Sequence, residues 1–255
     1  MKKTFKARIA VSLLALAAMA FPAAAQVAVV NAAGFQANAP VAPGSIASAF
    51  GTFTGATTAP AASTPLPTTL GGAQLSVDGA AAPLFFVSAG QINFQTPSSL
   101  TPGRHTVTVS VSGSQVATGF LDVSEAFPGL FILDPADVNA PAAALNQDYS
   151  VNGPSNPAAK GSVVQLYATG QGPVEAPVAD GELAPSDSLS PATLATAVYF
   201  AGIEGQVQFS GLAPGFVGVW QINAFVPANS VSGKVPVFVK LDNGLTSNHV
   251  SIWVQ

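Results

Sequence analysis

Three features of this 255-residue sequence predict an all-β protein. Its 24 glycines and 21 prolines demand many turns, while a 49% apolar share with many β-branched residues is too rich for a disordered chain. Apolar and polar residues alternate with a period of two: Val107, Val109 and Val111 interleave with Thr106, Thr108 and Ser110, the pattern of a strand buried on one face. Outside residues 1–25, no window of helix length keeps i, i+3, i+4 apolar spacing free of Gly and Pro.

Residues 1–25 have the form of a cleavable export signal. Lys2, Lys3, Lys6 and Arg8 make a basic start, an apolar run follows from Ile9 to Phe21, and Ala23-Ala24-Ala25 fits the small-x-small cleavage rule. The apolar run is shorter than the roughly 20 residues of a bilayer span. Without an Arg-Arg pair the Sec route is expected, and without cysteine the mature start cannot be lipidated. No later stretch predicts a transmembrane segment in the mature chain, which is placed in the bacterial periplasm, at the cell surface or outside. Removing the signal leaves Arg104, Lys160, Lys234 and Lys240 against all twelve carboxylates, a net charge of −8. Four cations cannot neutralise a run of phosphates, so nucleic acid and polybasic docking to anionic lipid are excluded as partners. The absence of cysteine removes disulfides, thiolate catalysis and cysteine-ligated zinc. No cofactor is expected.

The mature chain contains an internal duplication. Gly44-Ser45-Ile46 and the strand after it align with Gly161-Ser162-Val163, and Gly90-Gln91-Ile92-Asn93 aligns with Trp220-Gln221-Ile222-Asn223, the offset growing from 117 to 130 through loop insertions. Two units of about 100 residues match the size of an immunoglobulin-like β-sandwich. The predicted organisation is a first sandwich over 26–124, a Pro-containing linker over 125–140 and a second sandwich over 141–255. In the first unit, turns fall at Asp78-Gly79, Pro102-Gly103 and Ser112-Gly113-Ser114. In the linker, Pro128 and Pro135 flank Leu130, Phe131, Ile132 and Leu133, with Phe127, Leu130 and Phe131 expected against a sandwich end. In the second unit, Val235, Val237 and Val239 alternate with Lys234, Pro236, Phe238 and Lys240 up to Asp242-Asn243-Gly244, where Asn-Gly favours a two-residue hairpin turn. Pro236, unable to donate to a ladder, suggests an edge or bulged strand open to another chain's strand.

Four segments, Val30-Asn31-Ala32-Ala33-Gly34-Phe35, Ala82-Pro83-Leu84-Phe85-Phe86-Val87-Ser88-Ala89-Gly90-Gln91-Ile92-Asn93-Phe94-Gln95, Ala144-Leu145-Asn146-Gln147-Asp148-Tyr149-Ser150-Val151-Asn152 and Gly211-Leu212-Ala213-Pro214-Gly215-Phe216-Val217-Gly218, carry a resemblance. Together they resemble the Solibacter uncharacterised C-terminal domain family over essentially the whole mature chain. The resemblance implies an Ig-like fold in an exported bacterial protein and brings no activity and no catalytic residues. Tyr149 departs from it, standing where glycine is expected in a tight turn.

Little in the chain suits bond-breaking chemistry, and no enzyme is expected. There is no Gly-x-Ser-x-Gly, and the only bases, His105 and His249, sit in or beside strands. Glu175, Asp180, Glu182 and Asp187 cluster in a Pro/Gly/Ser-rich stretch that reads as a solvated loop. Gly170-Gln171-Gly172-Pro173 lacks the helix and lysine of a phosphate loop and reads as a turn. No metal site is assigned. If an ion binds, it is calcium at Asp134, Asp137 and Asn139, against the simpler role of Asp and Asn in capping turns. The repeated Gln-Ile-Asn segments read as fold maintenance, their amides bonding neighbouring backbone. Tyr199, Phe216 and Trp220 read as core.

Aromatic placement on the final hairpin is the sharper signal. Pairing Val237 with Val250 and Val235 with Ile252 on the inward face puts Phe238 opposite His249 and Lys234 opposite Trp253 on the other. Outward aromatics mark contact surfaces, so the candidate site is Trp253, Phe238, His249 and Lys234. The matching first-copy strand shows Thr106, Thr108 and Ser110 outward, which predicts such a patch on the second unit alone. The expected function is a non-enzymatic exported binding or structural module, in adhesion or envelope assembly, whose partner is a protein or polysaccharide at the cell surface. The alternative is a carbohydrate-binding module using the exposed aromatics of the second domain.

Overall fold

The computed structural model describes residues 25–137 and 139–255, so the export signal, apart from Ala25, lies outside the described residues. Among the described residues every regular element is a strand, in agreement with the all-β, Ig-like prediction. Among the described residues no helix is long and apolar enough to cross a membrane. The first half holds β1 (Ala25–Asn31), β2 (Ile46–Phe50), β3 (Ala59–Pro60), β4 (Ala73–Val77), β5 (Ala80–Ala81), β6 (Leu84–Val87), β7 (Gln91–Gln95), β8 (Gly103–Val111) and β9 (Ser114–Val123). The second holds β10 (Gly129–Leu130), β11 (Ala144–Leu145), β12 (Val163–Thr169), β13 (Thr196–Phe200), β14 (Ile203–Gly205), β15 (Val207–Leu212), β16 (Trp220–Phe225), β17 (Gly233–Leu241) and β18 (Val250–Val254).

The first half is one hydrogen-bonded sheet of nine strands in the order β3-β6-β7-β2-β1-β9-β8-β4-β5. Its two layers are joined by β1, antiparallel to β2 through Ala28–Asn31 and parallel to β9 through Ala25–Ala28. Leu75, Val107 and Val109 from one layer meet Ala47, Ile92 and Phe94 from the other in a single core. The second half is two sheets: β10-β12-β16-β15, with β11 also on β12, and β14-β13-β17-β18. Between them Trp220, Ile222, Val198, Phe200, Val237 and Ile252 are fully buried.

The duplication is a duplication of pairing. In β2·β7, Ala47, Ser48 and Ala49 face Phe94, Asn93 and Ile92; in β12·β16, Val164, Gln165 and Leu166 face Ala224, Asn223 and Ile222. These are the partners that the offsets 117 and 130 map onto one another. Two-residue turns match as well. Asp78-Gly79 has φ of 49° and 85° and Ala201-Gly202 has 49° and 82°, both residues positive as a type I′ hairpin turn requires.

Three expectations are corrected. The segment 125–140 is not a linker outside both sandwiches. Gly129–Leu130 is β10, antiparallel to β12 at Thr169 and Ala168; the Phe131 amide donates to the Tyr167 carbonyl; and Ala126 and Leu130 are buried in the second core. The second sandwich therefore starts before residue 141. An apolar run bounded by prolines is also the composition of a short edge strand, which sequence cannot separate from a stiff link. The last hairpin turn is not two residues long. Gly244 donates to the Leu241 carbonyl, only Gly244 has positive φ, at 88°, and Lys240 pairs Thr246. The register then slips by one near Ser247, whose hydroxyl accepts the Val239 amide, restoring the predicted pairs Val237–Val250 and Val235–Ile252. Pro236 does not mark an edge, because β17 lies between β13 and β18. Its carbonyl accepts the Ala201 amide at 2.8 Å, so its nitrogen faces the same side, just past the last β13 pair Phe200–Val237, where the ladder ends.

Candidate functional site

The candidate residues lie on the outer face of the four-stranded sheet. Along β17, Val235, Val237 and Val239 point inward and are buried, which by strand alternation sends Lys234, Pro236, Phe238 and Lys240 outward. Phe238 pairs Tyr199 of β13, and the two rings stack at 5.0 Å between centroids with planes 13° apart. On its other side Phe238 stacks on His249, at 4.6 Å and 6°. The result is a row of three parallel rings across β13, β17 and the residue just before β18, at close to the strand spacing of about 4.8 Å. Both faces of Phe238 are covered by its neighbours, leaving its edge for solvent or a partner.

Lys234 pairs Trp253 further along the same face, about 13 Å from Phe238 at roughly 3.3 Å per residue. All four predicted residues thus share one surface, on which Phe238 and Trp253 are half-buried and His249 and Lys234 exposed. The Lys234 ammonium donates to the Asn139 carbonyl at 2.9 Å, tying the 139 region to this edge. Lys234 and Lys240, two of the four cations outside residues 1–25, bracket the ring row. The edge of β18 is closed to another strand. The Asn152 side-chain amide accepts from the Trp253 amide at 2.7 Å and donates to its carbonyl at 2.9 Å, and Ala158 pairs Val254 in parallel.

Tyr199 belongs to this row, although it was expected in the core along with Phe216 and Trp220. Trp220 is buried, its indole N–H donating to Ser210 Oγ at 2.9 Å, whereas Phe216 is 51% exposed. The signal for Tyr199 was present: Val198 and Phe200 on either side of it are inward. The first copy is not free of outward aromatics either. Phe120, on β9 opposite Thr106, is 59% exposed, with the Arg104 guanidinium 5.5 Å above its ring while pairing Asp122 at 2.9 Å. The expectation failed because it considered β8 and not its hairpin partner.

The other sequence readings resolve as follows. His105 has Nδ1 2.7 Å from Asp78 Oδ2 and Nε2 2.8 Å from the Thr101 carbonyl. Both partners accept, so both ring nitrogens donate. The bond to Asp78, then that to Thr101, raises the imidazole above its ordinary pKa, and Asp78 is lowered in turn by His105 and by the Thr106 amide. No hydroxyl joins this pair, and no triad results. Asp134 and Asp137 each accept a backbone amide two residues on, at 2.9 Å, as turn caps, and the Asn139 carbonyl accepts Lys234. Among the described residues no three His, Cys, Asp or Glu side chains converge on one point. The repeated amides bond each other and not the backbone: Gln91 Nε2 donates to Asn93 Oδ1 at 2.8 Å, and Gln221 Nε2 to Asn223 Oδ1 at 2.9 Å. The acidic stretch is not simply a solvated loop. Both oxygens of Asp180 accept the Ser98 amide, at 3.1 and 3.2 Å, and the Gly181 amide donates to Gln95 Oε1 at 2.6 Å, docking it on the first sandwich.

No protein-family model and no curated protein matches the chain. Among solved structures it is similar to the Bacteroides ovatus mixed-linkage glucan utilization locus SGBP-B in complex with a mixed-linkage heptasaccharide, at 12% identity and TM-score 0.34, over 85% of this chain and 43% of that one. It is similar to the Yersinia pseudotuberculosis adhesin InvE at 9% identity and TM-score 0.21, over 89% of this chain and 58% of that one. Bovine butyrophilin matches at 10% identity and TM-score 0.24, over 91% of this chain and 99% of that one. The chain thus spans less than half of the first of these proteins, and TM-scores of 0.21 to 0.34 carry no functional argument.

Proposed function

We propose that this protein is a non-enzymatic, exported binding module that acts in adhesion or envelope assembly, at the bacterial surface or outside the cell, through the outer face of the β14-β13-β17-β18 sheet. The export signal and the resemblance to the Solibacter C-terminal domain family support this setting. The observation that carries the reading is the stacked row Tyr199–Phe238–His249. Rings placed outward on a sheet, bracketed by Lys234 and Lys240, suit a flat partner surface whose contact would desolvate ring edges and stems. The test replaces the row by small polar residues, as Tyr199→Ser, Phe238→Thr and His249→Thr together. Beads coated with the original protein are expected to adhere to producing cells, and beads with the triple variant to lose that adherence. Equal adherence of the two would refute the reading.

The carbohydrate reading rests on one residue. A pyranose needs an uncovered aromatic face, and both faces of Phe238 are taken. Trp220 is buried, which leaves half-buried Trp253 of the three rings Trp253, Phe238 and Trp220. Retardation in polysaccharide-containing gels that Trp253→Ala removes and Phe238→Thr spares would select this reading over the first.

A further inference from the structure

A cavity of about 490 Å³ lies between the two sandwiches. Pro43, Leu100 and Pro102 from the first half face Val174, Val178 and Phe216 from the second across it. Its size falls within the roughly 300–1,000 Å³ of small-molecule sites, and its walls are mostly apolar, as in such sites. Its shape is held by bonds that cross between the halves: Asp180 to the Ser98 amide, Gly181 to Gln95, and Thr169 Oγ1 accepting the Ile46 amide at 2.9 Å.

One wall is the turn Gly170-Gln171-Gly172. Both glycines have positive φ, 87° and 82°, and a Cβ on Gly170 would stand 2.0 Å from the Phe127 carbonyl oxygen. The close approach of residues 125–127 therefore requires glycine there and fixes Gln171 in the cavity lining, 4% exposed. The Gln171 amide oxygen itself is buried behind the lining, out of reach of a ligand atom. Glu125 and Glu182 also line the cavity, and no Lys, Arg or His does.

We propose that this cavity binds a small organic cation with an apolar body, an alkyl- or arylammonium. Its hydrocarbon part lies against Leu100, Val174 and Phe216, and the two carboxylates complement its charge. An anionic ligand of the same shape would meet two like charges.

The test uses the full chain and three probes with one aromatic body: phenethylammonium, phenethyl alcohol and phenylacetate. The Gln171 side-chain amide is followed by NMR. The ammonium is expected to give saturable shifts, the alcohol to bind at least ~10-fold more weakly, and phenylacetate to bind least of all. Glu182→Gln, at an exposed position, is expected to weaken the ammonium several-fold and leave the alcohol unchanged. Phenylacetate binding as tightly as the ammonium, ammonium binding indifferent to Glu182→Gln, or no saturable shift from any probe would overturn the proposal.

Discussion

At three positions in a row across its strands, the first sandwich has Ser76, Thr108 and Thr118, and the second has Tyr199, Phe238 and His249. The inward neighbours stay apolar in both copies, Leu75, Val107 and Val109 against Val198, Val237 and Val239. A sheet that folds with hydroxyls at those outer positions does not need rings there. The proposed contact surface therefore rests on rings that the first copy folds without. A second contrast lies at the end of the same sheets. Asp78 faces His105 in the first copy, and Ala201 and Val235 occupy the matching places in the second.

The largest expected effect tests the inward half of the contrast. Trp220 matches Gly90 of the first copy, so the second core alone depends on this ring. Trp220→Ala should remove about 3–5 kcal/mol of stability, measured by denaturant unfolding, and a loss near zero would mean that the core closes without it. Next, giving the second copy the first copy's outer residues, Tyr199→Ser with Phe238→Thr and His249→Thr, should cost only about 1–2 kcal/mol, from the lost ring contacts. A loss as large as that of Trp220→Ala would make the rings structural and remove the argument for a contact surface. Smaller still is the effect at Tyr149. It is 72% exposed and holds φ of 65° in the turn closed by Asn146 and Ser150, the conformation for which glycine was expected. Tyr149→Gly should stabilise the second sandwich by up to ~1 kcal/mol in thermal melts, and destabilisation would show that the ring packs usefully.

The smallest effect is a pH dependence confined to the first copy. His105 is raised in the folded state, so its stabilisation is complete below its unfolded pKa of about 6.5 and disappears as pH climbs through the raised folded value. Asp78 is lowered, so its stabilisation is present above its unfolded pKa of about 3.9 and disappears as pH falls through the lowered value. Melting of the first sandwich should therefore drop from pH 6 to 8. His105→Val with Asp78→Ala, the residues of the second copy, should flatten that slope; a slope that survives would assign it to another group.

Legibility in the sequence followed the range of the interactions. Alternation along β17 was enough to turn Lys234 and Phe238 to one face, because parity along a strand is a local property, while the register that pairs Val235 with Ile252 and sets Phe238 beside His249 came from the Asn243-Gly244 turn. The same parity rule, applied to Thr196–Phe200 and to Ser114–Val123, would have turned Tyr199 and Phe120 outward. The hairpin turn was misread because a three-residue loop, Asp242–Gly244, with a later bulge yields the same register as a two-residue turn. The recruitment of Gly129–Leu130 into a sheet was not legible, since nothing in a two-residue strand differs from a linker.

By itself the sequence determined the strand class, the twofold repetition and the inward face of β8 and β17, because all three follow from alternation and self-similarity along the chain. Only the tertiary structure decided what lies opposite each surface: that the acidic loop rests on the first sandwich, that Asn152 closes the β18 edge, and that Gln171 lines a cavity between the halves. The Asp180–Ser98 contact spans 82 residues and the Asn152–Trp253 contact 101, and packing across such distances has no periodic signature in the residues that make it.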